Sequence, residues 1–173
     1  YDRYRFCKAL GRGTKEAIIS VQFEREETYE GGVWASAAHL KDLCAQVDVW
    51  HGPTATINTK YLGAYSQKLF SVHEIKDVDT DFNPDIPQYD VVIVFDYGHG
   101  FFRNQPLRDR VMKEARFLAV NAQSNSSNYG FNRVNEKWPA AHLCVVDELE
   151  ARLAAHEPEA AMEDVIEKLP YSR

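Results

Sequence analysis

Residues 89–102 read Y-D-V-V-I-V-F-D-Y-G-H-G-F-F, and between positions 96 and 100 they gather a carboxylate, an imidazole and two glycines: Asp96, Gly98, His99 and Gly100. The apolar run 91–95 ahead of Asp96 predicts a strand buried on both faces, as in a parallel sheet. In open parallel sheets, ligands collect at the carboxyl ends of the strands. Glycine at such an end lets the backbone take φ > 0 or lie close to a bound group. A tight strand-to-loop turn uses the same residue types, and the pattern alone leaves both readings open.

Two other stretches have ligand-binding chemistry. Gly31 and Gly32 open a helical pattern (Val33, Trp34, Ala37, Leu40, Cys44), so backbone N–H groups stand at the positive end of a helix dipole, suited to an anionic or hydroxyl-rich ligand. A turn that needs small residues for tight packing explains the pair equally well. Residues 121–128, N-A-Q-S-N-S-S-N, follow an apolar strand pattern with amides and hydroxyls, Asn125 among them. Such a loop binds a polar ligand or simply connects.

Much chemistry is excluded. The six histidines show no H-x-x-x-H and the cysteines no C-x-x-C, which argues against zinc. There is no G-x-S-x-G, G-x-x-x-x-G-K-[ST] or G-x-G-x-x-G; Gly11-Arg12-Gly13 lacks the third glycine and, by pattern, a preceding strand. The acidic stretch 77–85 lacks the glycine and terminal glutamate of a calcium loop and reads as a solvated connection.

The elements that would position these residues alternate. Residues 17–23 form a strand pattern closed by the charged cluster 24–27, followed by the helix 33–45 and a short strand at 47–51. Residues 54–61 and 68–75 alternate as a pair of less buried strands around Gly63. Beyond the strand at 91–95, a helix is expected over 105–116 with Pro106 in its first turn, then a strand at 117–120 and another at 142–146. Acids at 147–150 begin a helix, and 159–169 is a last amphipathic one. Strand and helix in turn imply βαβ crossovers and a mainly parallel sheet, hence a single α/β domain over 1–173 with an antiparallel pair as an extra.

With 173 residues the chain can bury a sizeable core, and its 45% hydrophobic and 27% charged residues are ordinary for a soluble fold. A net charge of −6 without a basic run argues against a nucleic-acid or anionic-membrane surface. No apolar stretch has membrane-spanning length. Cys7, Cys44 and Cys144, odd in number and among apolar neighbours, read as buried free thiols of a reducing, cytoplasmic compartment. The first residue is Tyr1, and the run D-R-Y at 2–4 reads like the continuation of preceding sequence.

The ordered motifs D-R-Y (2–4), L-G-R-G-T-K-E (10–16), G-G-x-x-A-x-A (31–37), D-Y-G-H-G (96–100) and D-E-L-E (147–150) resemble the PfkB/ribokinase superfamily of sugar kinases. The likeness is nearest to the kinase half of bifunctional heptose-phosphate kinase/nucleotidyltransferases. It implies a three-layer ribokinase-like fold, incomplete at both ends, with residues 54–76 as a lid-like pair. By resemblance, Asp2 matches an aspartate that binds sugar hydroxyls, and Gly31 and Gly32 line the sugar pocket. Asp96, Gly98 and Gly100 match D-Y-x-K-G, with His99 where lysine is common. Asn58 and Lys60 fall in a strand resembling T-x-x-K-T-R-F, and Lys60 is a candidate for a substrate phosphate. Asp147 and Glu150 resemble N-x-x-E, which organises magnesium and phosphate; Asn125, Asp147 and Glu150 are thus the cofactor-side candidates, with Glu150 for the metal.

The resemblance further implies ATP and Mg²⁺ as cofactors, a sugar or sugar phosphate as substrate, and a nucleotidyltransferase domain as a partner. The free edge of the 54–75 strands would invite a homodimer. Departures are equally plain. Ala35 and His39 replace family asparagines, a helix and strand are missing near 52–54, and no G-A-G-D segment with its catalytic aspartate occurs. The expectation is therefore a kinase-like domain not competent as this chain alone, with no catalytic residue assigned. The alternative is a non-catalytic sugar-binding or interaction module.

Overall fold

The computed structural model describes residues 1–13, 18–52, 56–75, 83–125, 128 and 130–171. Residues 14–16 of the second motif, the first residue of the 17–23 pattern, the start of the 54–61 pattern and most of the acidic stretch 77–85 lie outside them. The chain is α/β and divides into two compact units, Tyr1–Lys76 and Asp77–Arg173.

The first unit is a four-stranded mixed sheet of β1 (Asp2–Arg12), β2 (Ile19–Tyr29), β3 (Ile57–Leu62) and β4 (Lys68–Glu74), with α1 (Gly32–Leu40) after β2. The order is β2-β1-β3-β4; β1 and β3 run parallel, and both outer pairs are antiparallel. The expected antiparallel pair is present, but as half of a larger sheet. Its other half begins with a strand, β1, that the pattern did not show and that runs straight into Gly11-Arg12. Gly11 takes φ +101 where the β1–β2 register shifts, a bulge that glycine accommodates without strain.

β2 continues through the charged cluster that was expected to end it. Ion pairs explain the difference: across the strands Arg5 Nε meets Glu26 Oε2 at 2.7 Å, and along β2 Arg25 pairs with Glu27. Charges that satisfy one another on a sheet face do not stop a strand. In contrast, residues 47–51 form no strand, and α1 stops at Leu40. Few apolar side chains are fully buried here: Cys7, Ala37 and Leu62 among the described residues. Stacked pairs such as Tyr61–Phe70, with centroids 4.3 Å apart, bind the strands together instead.

The second unit carries the larger core. β5 (Val92–Asp96), β6 (Leu118–Ala122) and β7 (Leu143–Cys144) form a parallel sheet in that order. α2 (Gln105–Glu114), α3 (Val134–Lys137), α4 (Glu148–Ala155) and α5 (Met162–Glu167) accompany it. Asn104 caps α2 by accepting from the Leu107 N–H, and Leu107 and Val111 turn one face inward. Val92, Val94, Leu118, Val120 and Ala122 meet Trp138, Ala154 and Val165 in one cluster.

The expectation that 91–95 is buried on both faces fails: β5 alternates, with Val92 and Val94 buried and Ile93 41% exposed. Ile93, Ala119 and Leu143 are aligned across the three strands, so they share the uncovered face. A continuous apolar run records what a strand can tolerate, not how many faces are covered. β7 is also shorter than expected. Of the three free thiols, Cys7 is buried but Cys44 is exposed, which corrects the uniform burial inferred from neighbours; burial pushes the Cys144 thiol up to about 11.

Candidate functional site

Each unit brings part of the candidate set together. In the first, strand register decides which side chains share a face. Asp2 pairs with Asn58 and Tyr29, and Asn58 pairs with His73, which makes one row across the sheet. Tyr4 pairs with Lys60 and Glu27, and Lys60 with Ser71, which makes the next row on the same face.

The contacts bear out that shared face. Lys60 Nζ donates to Asp2 Oδ1 at 3.0 Å and to the Tyr4 hydroxyl at 3.1 Å, and lies 4.8 Å from the centroid of the Tyr4 ring. Partial burial pulls the Lys60 ammonium down, but its bonds to Asp2 and Tyr4 outweigh this, and its pKa sits above the ordinary lysine value. The Tyr4 and Tyr29 rings meet edge-on at 5.7 Å, and the Tyr29 hydroxyl donates to Glu27 at 2.8 Å. Arg3 and Arg5 point to the opposite face, where both pair with Glu26.

Gly31 is the N-cap of α1, with Gly32 as its first residue, and no side chain caps the helix. A Cβ on Gly31 would stand 3.8 Å from the Tyr1 nitrogen, so the glycine pair lies beside the end of β1 that carries Asp2. Asp2, Gly31, Asn58 and Lys60, far apart in sequence, are thus neighbours. Tyr4, Ser71 and His73 were missed. For Ser71 and His73 the signal was the alternation of β4, but using it required the register with β3 and β1; Tyr4 lies on β1, which the pattern did not show.

No protein-family model matches the chain, and no curated protein matches it. Among solved structures it is similar to one described as a "putative sugar kinase" from Clostridium perfringens, with 12% sequence identity and a TM-score of 0.48. The similarity covers 99% of this chain and 63% of that one, so the chain spans less than two thirds of that protein's length.

In the second unit the strand ends do converge. Asp96, 3% exposed, ends β5, and its carboxylate is fully engaged. Oδ1 accepts from the Gly98 N–H at 3.0 Å and from Asn132 Nδ2 at 3.3 Å; Oδ2 accepts from Lys137 Nζ at 2.8 Å and Trp138 Nε1 at 3.0 Å. Gly98 and Gly100 take φ +72 and +100, the left-handed turn their residue type permits. A Cβ at Gly98 would stand 2.7 Å from Asn128 Nδ2, so only glycine fits there without displacing the amide. His99 lies in this turn, its ring 6.2 Å from that of Tyr97. Asn125 and Asn128 both donate side-chain amides to the Tyr97 carbonyl, at 3.1 and 3.2 Å. The polar loop after β6 therefore knits two strand ends together.

Asp147 and Glu150 form a capping box at α4. The Glu150 N–H donates to Asp147 Oδ1 at 2.8 Å, and the Asp147 N–H to Glu150 Oε2 at 3.0 Å. Glu150 Oε1 accepts the Ser124 N–H at 2.9 Å. This donor set does not fit a directly held Mg²⁺: each Glu150 oxygen already takes a backbone N–H, and among the described residues no three His, Cys, Asp or Glu side chains gather to hold a metal. Among the described residues, no helix is long and apolar enough to cross a membrane.

Proposed function

We propose that the first unit binds a carbohydrate on the face carrying Asp2, Asn58 and Lys60, and that the chain is a sugar-kinase-like domain of the PfkB/ribokinase type. The observation that carries this is the juxtaposition of Asp2, Gly31 and Lys60: the motif resemblance assigns the first two to the sugar pocket and makes Lys60 a substrate-side candidate. Chemically the face is apt. A carboxylate accepts from sugar hydroxyls, an ammonium donates to them, and tyrosine rings offer flat apolar surfaces beside them. Calorimetric titration of the full chain with a panel of aldoses and ketoses tests it; heat of binding that saturates is expected, and none with any sugar overturns it.

In the parent reaction ATP supplies the phosphoryl group and Mg²⁺ offsets its charge. What this chain's own residues do is bind and position. Asp2 and Lys60 hold each other in place and present their remaining lone pairs and protons. Asp96 and Glu150 hold the strand-end loops. A second reading, a non-catalytic sugar-binding or interaction module partnering a nucleotidyltransferase domain, is favoured by one observation: Glu150 and Asp96 spend both carboxylate oxygens, and Asp147 its Oδ1, on the fold. β4 lies at an edge of its sheet, and pairing of two copies along it belongs to the same proposal.

A further inference from the structure

We infer that the ligand of this face is an unphosphorylated sugar, and that His73 of β4 is a specificity-determining residue for it. The inference rests on the sugar-binding reading above and narrows it.

Charge decides the ligand class. The two rows hold Tyr29, Asp2, Asn58 and His73, then Glu27, Tyr4, Lys60 and Ser71. Lys60 is the one lysine or arginine among them, and the Asp2 carboxylate already meets it at 3.0 Å. Glu27 faces the same way and is paired with Arg25 of the next row. Each lysine or arginine on the face is thus already paired with a carboxylate, so none is left uncompensated for a phosphate. The face offers acceptors and donors in alternation, which suits hydroxyls that both give and take hydrogen bonds.

His73 adds the recognition. Its Nε2 lies 3.3 Å from Ser71 Oγ, so hydroxyl and imidazole form one polar unit on β4. His73 Nδ1 and Asn58 Oδ1, on cross-strand partners, are both shielded from solvent with no hydrogen-bond partner among the described residues. Shielded polar atoms are nearly always paired in folded proteins. Two neighbouring exceptions on the sugar-facing side mark a place where a ligand supplies what the chain does not. Contact with a bound hydroxyl would need a change of side-chain rotamer on one of the two residues.

The test is calorimetry on the full chain with ribose, mannose and fructose and with their phosphate esters, repeated on His73→Ala, His73→Gln and Asp2→Ala, with thermal melts alongside. The free sugar is expected to bind at least about tenfold more tightly than its ester. His73→Ala should weaken it by about five- to tenfold with an unshifted melt, and His73→Gln, which restores a donor and an acceptor, should recover part of the loss. Equal or tighter binding of the ester overturns this inference and leaves the sugar-binding reading intact. Unchanged affinity in both His73 variants, while Asp2→Ala abolishes binding, does the same. Absence of binding by any sugar or ester to the unaltered chain overturns both.

Discussion

Lys60 Nζ lies 3.0 Å from Asp2 Oδ1, across 58 positions of sequence, and this bond orders the polar face of the first sheet. Its titration is a testable consequence. Because the folded lysine pKa is raised, the pair's contribution is fully present below the ordinary lysine pKa and is lost as pH rises through the folded value. Thermal melts from neutral to strongly alkaline pH should show the unaltered chain losing its advantage over Lys60→Met only above about pH 10.5. A constant difference between the two across that range would contradict the pairing.

Asp96 is the strongest structural prediction. Asp96→Ala leaves the Lys137 ammonium without its carboxylate, with only the Asn132 amide oxygen to accept from it, and the fully buried Trp138 indole N–H without an acceptor. Breaking a buried pair by removing one partner costs about 3–5 kcal/mol. Urea unfolding should register a loss of that size. A loss below about 1 kcal/mol would mean that the carboxylate is solvated and free for ligand work.

Glu150→Ala should cost about 1–2 kcal/mol, since the N–H groups of Asp147 and Ser124 lose their acceptor and the capping box of α4 keeps only its Asp147 half. The same cost is expected with and without Mg²⁺ in thermal melts. Stabilisation of the unaltered chain by Mg²⁺ that vanishes in the variant would assign Glu150 to a metal instead.

The parallel sheet of the second unit was legible in the sequence because its signals are local. An apolar run ending at Asp96, proline one residue into α2, and acids opening α4 each act within a few residues. The first unit was less legible because its order comes from pairing between distant strands. Nothing in 2–12 shows that β1 will lie between β2 and β3, and without that the kinship of Asp2 with His73 cannot be read. The same gap hid the continuation of β2 through its charges, which the opposing Arg3 and Arg5 help to explain. Motif resemblance singled out Asp2, Gly31 and Lys60 without any account of why they should meet. The register of β1 with β3 supplies the account for Asp2 and Lys60.

The measurement that bears most directly on sugar binding is the affinity of Asp2→Ala for the unphosphorylated sugar that binds the unaltered chain best. A loss of at least about tenfold, or about 1.4 kcal/mol, in a variant whose thermal melt falls no further than that of Lys60→Met is the predicted result. Equal affinity in the two proteins would show that the face built by Asp2 and Lys60 is not where the sugar binds.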